Sequence, residues 1–384
     1  MLSKLKPFFY LGIFYIILSL ILRIIFIFHP ITTASFGILE SLKILSVGLV
    51  TDIFVFIMAS SFLPVYVLFL SNSKYNKPYG YLIFGALVLA FIYTAFVPGN
   101  IFKQYGGSFP EVAIAFVGLK TLLFGLMLFL TTQRIRIRNI LYFITLFLYV
   151  LLIIFNAVSE YFFWNEFGVR YNFIAVDYLI YTNEVIGNIM ESYPVVPLFS
   201  AILALTLFVT WFIFKNTKNE LLTLLNFKQK LILLGSFVLL CGLSLFAIPQ
   251  FDKIKSDNTF AQEIQANGLP KFYHAFTHNE LDYFQFYPTL NQKIAEVNFL
   301  KQFQPPTLER EIVSENPELK KNVVLISIES LSADFLEHYG NTQKITPFLD
   351  SLATKSLMFT NLYATGNRTV RGLEALTLCI PPTA

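Results

Sequence analysis

Residues 139–158 read NILYFITLFLYVLLIIFNAV and are preceded directly by RIRIR at 134–138. A helix of roughly 20 apolar residues is what a hydrocarbon core about 30 Å thick requires, because in lipid every backbone N–H and C=O must be satisfied within the segment. Arg134, Arg136 and Arg138 mark the end that stays on the side retaining basic loops, the cytoplasmic side. Working outward from this run, comparable segments occupy 8–29, 45–70, 79–98, 110–131, 195–215 and 229–249. Seven spans are expected.

Composition agrees, with 55% hydrophobic and 17% aromatic residues against 14% charged in a chain of 384. Lys4 and Lys6, Lys74 and Lys77, the three arginines, and Lys215, Lys218, Lys228 and Lys230 fall in alternate loops, and the opposite loops hold Lys43, Lys103 and Arg170. The N-terminus is therefore expected inside and the C-terminus outside. No small-residue cleavage site follows the first run, which reads as an uncleaved span. A net charge of +4 without a basic, aromatic-laced stripe argues against nucleic acid as a partner. Cys241 and Cys379 imply neither a disulfide framework nor a cysteine metal site.

Two charged features inside the spans carry expectations of their own. Lys120 lies near the middle of 110–131, where a lysine costs roughly 3 kcal/mol on insertion scales. It should face the bundle interior, unless that segment is re-entrant or interfacial. Arg23 and Asp52 each lie about 10 Å below the outer end of their spans, so they are expected to face one another; separate snorkelling to the interface is the alternative.

Residues 159–194 mix aromatics with acids and suggest interfacial helices on the outer face, or else a folded external loop. The organisation is read as a membrane domain over 1–249, an extracytoplasmic linker over 250–318 with Pro305 and Pro306 near its end, and a different pattern over 319–384. There NVVLISIES (322–330) has the look of a strand buried on both faces. Thr346 offers an N-cap with Pro347 behind it, LMFTNLYA (357–364) reads as a second strand, and a second helix is expected near Thr369. Strand, helix, strand, helix opens an α/β sheet. Such a domain needs more than about 100 residues to close a core, so 319–384 is read as its first part.

The candidate chemistry gathers at the ends of the two expected strands. Glu329 follows the first, where ligands of open α/β sheets bind; alone, it also reads as a loop acid or helix cap. Thr369 lies in TGNRTVRG at the expected helix start, where free N–H groups favour a phosphate; alone, it also reads as an N-cap. A threonine hydroxyl becomes a competent nucleophile only beside a metal or base. Arg368 and Arg371 flank it as candidate substrate-binding groups whose guanidinium forks suit phosphate oxygens, or as solvated helix charges.

Together NVVLISIESLSADF (322–335), TPFLDSLA (346–353) and FTNLYATGNRTVRGLEALTLCIPP (359–382) resemble the start of the catalytic domain in the lipoteichoic acid synthase and phosphoglycerol transferase family, within the alkaline phosphatase superfamily. YFFWNEFGVRYNF (161–173), DYLIYTNEVIGNIMESYP (177–194), NGLPKFYHAF (267–276) and NELDYFQFYPTL (279–290) resemble that family's membrane and linker region. The resemblance spans roughly 45–384. It implies a polytopic α-helical membrane domain followed by the opening of an α/β alkaline-phosphatase-like domain in a bacterial cell membrane. It further implies Glu329 as a metal ligand, Thr369 as both nucleophile and metal ligand, and a divalent metal, commonly Mn2+, with Mg2+ or Zn2+ as alternatives. The implied donor is phosphatidylglycerol, and the acceptor is a glycan or polyglycerolphosphate. The family's later Asp-His ligand pair has no counterpart in 1–384, and His29, His274, His278 and His338 lie outside the matching positions. Cys379-Ile380-Pro381-Pro382-Thr383 lacks the arginine of the sulfatase C-x-P-x-R motif and lies ten residues past Thr369. A phosphoethanolamine transferase, a sulfatase-type hydrolase and a non-catalytic membrane scaffold are the competing readings.

Overall fold

The computed structural model describes residues 2–379 apart from 105–106, 181, 255, 257, 279–288, 304–316, 318 and 366–368. Its apolar runs become α1 (Lys6–Ile27), α2 (Ile38–Ala59), α3 (Phe62–Leu68), α4 (Tyr79–Phe96), α5 (Phe109–Phe129) and α6 (Arg134–Phe167). They continue as α7 (Phe173–Ile180), α8 (Thr182–Ser192), α9 (Val195–Thr217), α10 (Phe227–Asp252), α11 (Thr259–Gln265) and α12 (Gly268–Thr277). Among the described residues seven helices, α1, α2, α4, α5, α6, α9 and α10, are long and apolar enough to cross a membrane. The chain is a multi-pass membrane protein.

Local chemistry sets the helix ends. Asn226 and Gln229 form a reciprocal capping box at the start of α10. Gly168, at φ +65°, stops α6 in the left-handed conformation that glycine adopts without strain. The expected single span over 45–70 is corrected: α2 starts at Ile38, breaks at Ser60, whose hydroxyl bonds back to the Phe56 carbonyl, and α3 begins separately with Pro64 in its first turn.

The chain forms two compact units, Met1–Asn279 and Glu280–Ala384. In the first, α1, α6 and α9 enclose a core of Leu11, Tyr142, Leu146, Val150 and Ile213. A second cluster lies where α11 meets α1 and α2, with Trp164 stacked on Phe26 at 4.4 Å. α4 and α5 pair chiefly with each other. That corrects the expectation for Lys120, which is exposed with its ammonium 5.7 Å over the Phe116 ring; a helix with one principal neighbour has little interior to offer a charge.

Among the described residues two ion pairs are enclosed in this unit. Arg23 and Asp52, both 0% exposed, face each other as expected in a two-pronged pair, with Nη2 2.9 Å from Oδ1. Ser19 Oγ donates to Asp52 Oδ2 at 2.6 Å, and Asn267 Nδ2 donates to Asp52 Oδ1 at 2.7 Å. Gly48 makes room, since a Cβ there would run into the guanidinium. Arg170 pairs with Glu160, also buried. Both arginines then donate to the same short stretch: Arg23 to the carbonyls of Ile264, Gln265 and Ala266, and Arg170 to those of Glu263 and Ile264. Charge pairing and backbone bonding thus fasten the α11–α12 junction, whose own sequence is polar, to the membrane helices. The first part of the expected linker is in this way a docked helical element.

The second unit contains α13 (Gln292–Phe303), α14 (Pro347–Ala353), α15 (Thr369–Leu378) and short helical turns at Ala333–Phe335 and Glu337–Tyr339. Among the described residues there is no strand, which corrects the expected strands at 322–330 and 357–364. A strand is defined by ladder hydrogen bonds to a neighbour. Among the described residues these segments have no such neighbour, and Val323, Val324 and Ile326 are 91%, 80% and 76% exposed.

Candidate functional site

The site is built at the end of the apolar run NVVLISIE. Ser330 turns the chain with φ +53°, an uncommon conformation for a residue carrying a Cβ, and donates its hydroxyl to Glu329 Oε1 at 3.1 Å. Forty residues later, Thr369 begins α15 and donates its hydroxyl to the same Oε1 at 2.9 Å. The expected pair, Glu329 and Thr369, is thus brought together through side chains, both exposed. Ser330 was not singled out by the sequence reading; a serine after an acid gives no signal until the backbone turn is visible.

Of the remaining candidates, Arg368 lies outside the described residues, as does the side chain of Arg371. Cys379 is exposed at the end of α15, with φ +54°. Beside the site, residues 332–350 fold on themselves. The Ser332 hydroxyl accepts from the Asp334 N–H, Asn341 Nδ2 donates to the Asp334 carbonyl at 2.6 Å, and the Thr346 hydroxyl reaches Asp350 Oδ2 at 2.9 Å.

Converging oxygens from Glu329 and Thr369 are the donor chemistry of a hard divalent cation such as Mg2+ or Mn2+. They supply two positions of the shell, and among the described residues no group of three or more His, Cys, Asp and Glu side chains comes together as a metal site. The two residues fit one edge of such a site and leave its other ligands to be supplied.

With that geometry in view, residues 321–384 match the family model described as Sulfatase. No solved structure matches the chain. The match covers the segment that carries both Glu329 and Thr369 and assigns it to a sulfatase-like domain, a hydrolase- or transferase-type enzyme family whose members generally use divalent metals. The chain thus joins a unit of membrane-length helices to a segment similar to the Sulfatase family.

Proposed function

We propose that the protein is a phosphoglycerol transferase of the lipoteichoic acid synthase type, anchored in a bacterial cell membrane with its N-terminus cytoplasmic and its catalytic domain outside. It moves glycerol phosphate from phosphatidylglycerol to a glycan or polyglycerolphosphate acceptor. The observation that carries this reading is the hydroxyl-to-carboxylate bond between Thr369 and Glu329, within a segment matching the Sulfatase family.

Thr369 Oγ1 forms a bond to the lipid phosphorus as the bond from phosphorus to the diacylglycerol oxygen breaks. The threonine proton ends on the released diacylglycerol, leaving a glycerophospho-threonine. An acceptor hydroxyl then attacks the phosphorus, and Thr369 leaves with a proton. Glu329 holds the Thr369 hydroxyl before attack and fixes its direction. The N-terminus of α15 presents backbone N–H groups toward the phosphoryl oxygens, and Arg368 and Arg371 flank them in sequence as candidate partners. A divalent metal, proposed as Mn2+, supplies charge neutralisation and a lowered hydroxyl pKa when bound by Glu329 and Thr369. Membrane anchoring raises the local concentration of the lipid donor at the nucleophile.

The full natural protein, incubated with fluorescent phosphatidylglycerol and Mn2+, should release diacylglycerol and gain glycerophosphate mass on the Thr369 peptide. Thr369→Ala should lower release by at least about 10²-fold, consistent with loss of a covalent nucleophile, and Thr369→Ser should keep part of it. Undiminished release by Thr369→Ala, or an adduct on Cys379, overturns the assignment and favours a sulfatase-like reaction. Transfer from phosphatidylethanolamine alone favours a phosphoethanolamine transferase.

A further inference from the structure

The membrane unit contains a cavity of about 400 Å³, within the range of roughly 300–1,000 Å³ typical of small-molecule sites. It opens where the docked helices α11 and α12 meet α2, the C-terminal end of α10 and the start of α7, so every wall belongs to Met1–Asn279. Its lining divides by chemistry. Val47 of α2 and Phe251 of α10, from two membrane-length helices, give an apolar wall, continued by Phe173. To the same cavity α12 contributes Lys271, His274 and, at its end, His278.

The polar wall holds uncommitted hydrogen-bonding capacity. Lys271 forms an ion pair with Glu263, which occupies one of its three N–H donors. Asn172 uses its Oδ1 to accept from the Ile174 N–H, leaving its NH2 without a partner among the described residues. His278 uses Nδ1 toward the Thr277 hydroxyl and the His274 carbonyl, and the two imidazoles stack at 4.4 Å. Gln265, 4% exposed, lines the cavity with its amide nitrogen committed to the Ile254 carbonyl, so the donors left open to a ligand are the Asn172 NH2 and the remaining Lys271 N–H groups.

We propose that this cavity binds the headgroup of a phospholipid drawn from the surrounding membrane. The phosphate lies against Lys271 and His274, a headgroup hydroxyl accepts from the Asn172 NH2, and the glyceride end rests on Val47 and Phe251. An apolar wall from membrane-length helices beside a donor-rich wall from α12 matches the boundary at which a phospholipid carries its own phosphate. A headgroup without a hydroxyl, such as choline, leaves the Asn172 NH2 unpaired. The choice of phosphatidylglycerol among hydroxyl-bearing headgroups rests on the transfer reaction proposed above; the existence of the site does not.

The full natural protein carrying Thr369→Ala, so that lipid is held without turnover, is purified from mixed micelles of phosphatidylglycerol and phosphatidylcholine. Retained lipid is then counted by native mass spectrometry. Beyond any lipid held at the Thr369 site, retention of one further phosphatidylglycerol per chain is expected, favoured over phosphatidylcholine by roughly tenfold, equivalent to about 1.4 kcal/mol. Ala275→Trp, which fills the cavity without deleting a hydrogen bond, should remove that further lipid and its preference. Should Ala275→Trp fail to fold, the exposed His274→Leu decides, with a several-fold loss expected. Equal retention of both lipids, or unchanged preference in the folded variants, overturns the site. Displacement by millimolar glycerol phosphate or inorganic phosphate as readily as by lipid overturns the lipid as its source. Because retention is read without catalysis, continued turnover by Thr369→Ala would sink the transfer mechanism and leave this result standing.

Discussion

The two units treat charge and apolar surface in opposite ways. In Met1–Asn279 the charges Arg23, Asp52, Glu160 and Arg170 are buried, while large apolar side chains such as Leu89, Phe208 and Leu239 are more than 60% exposed. That inversion is stable only where the surroundings are themselves apolar. In Glu280–Ala384 the described ion pair, Lys344 with Glu337, lies on the surface, and strand-like residues such as Val323 find no covering layer. The first unit shows what a membrane does for a sequence, since charges inside must be paired. The second brings Glu329 and Thr369 together through their side chains with no strand among the described residues beside them.

If enclosed charge is what holds α11 and α12 in place, breaking one pair is the most damaging single change. Asp52→Leu leaves the Arg23 guanidinium buried without its carboxylate and also removes the acceptor used by Ser19 and Asn267. A cost of about 3–5 kcal/mol is expected, seen as a large fall in the thermal midpoint of detergent-solubilised protein. The double variant Arg23→Met with Asp52→Leu should recover part of that loss. If Asp52→Leu is neutral, the ion pair is not what fastens the junction, and the contrast between the units fails at its main support.

A smaller effect is expected at Gly268, the first residue of α12. A Cβ there would run into the Glu160 carboxylate and lie 3.1 Å from the Tyr171 ring. Glu160 cannot move aside freely because Arg170 and Asn156 hold it, the latter at 3.1 Å. Gly268→Ala should therefore cost about 1–3 kcal/mol through overpacking, measured as a lower midpoint with catalytic-site residues unaltered. An unchanged midpoint would mean that α12 is free to shift, and the cavity it walls would not be preformed.

How far each unit was legible follows from what kind of interaction holds it. The spans were readable because length and hydropathy are local properties, and the Arg23–Asp52 pair because isolated charges in apolar runs have few places to go. The meeting of Glu329 and Thr369 was anticipated through motif order, although the strands expected to deliver them are not formed. The docking of α11 and α12 was not readable. Their anchors are the carbonyls of Glu263, Ile264, Gln265 and Ala266, groups that every residue possesses and no side-chain pattern advertises. The cavity was missed for the same reason, since Gln265 and Lys271 look like ordinary linker residues until the junction is folded. Lys120 was misjudged because its spacing in the span says nothing about how many neighbours α5 has.

The smallest predicted effect concerns Asp350, in the surface fold over 332–350. Desolvation pushes its carboxyl up, but the Thr346 hydroxyl, the backbone N–H groups of Glu337 and His338, and the nearby His338 ring outweigh it and hold the group below its ordinary range. A carboxyl depressed in the folded state binds its proton more readily when unfolded. Its contribution is therefore fully present above the ordinary aspartate value of about 3.9 and is lost as pH falls through the lower folded value. Amide exchange should accordingly show the His338 N–H, 3.3 Å from Asp350 Oδ1, losing protection at acidic pH after correction for the intrinsic rate. Asp350→Asn should lower protection at neutral pH and flatten that dependence, with no change in exchange across α1, α2 and α11. Loss of protection in Asp350→Asn that spreads into the membrane helices would show that the two units unfold together, and that surface hydrogen bonds near Glu329 and the enclosed ion pairs belong to one cooperative structure.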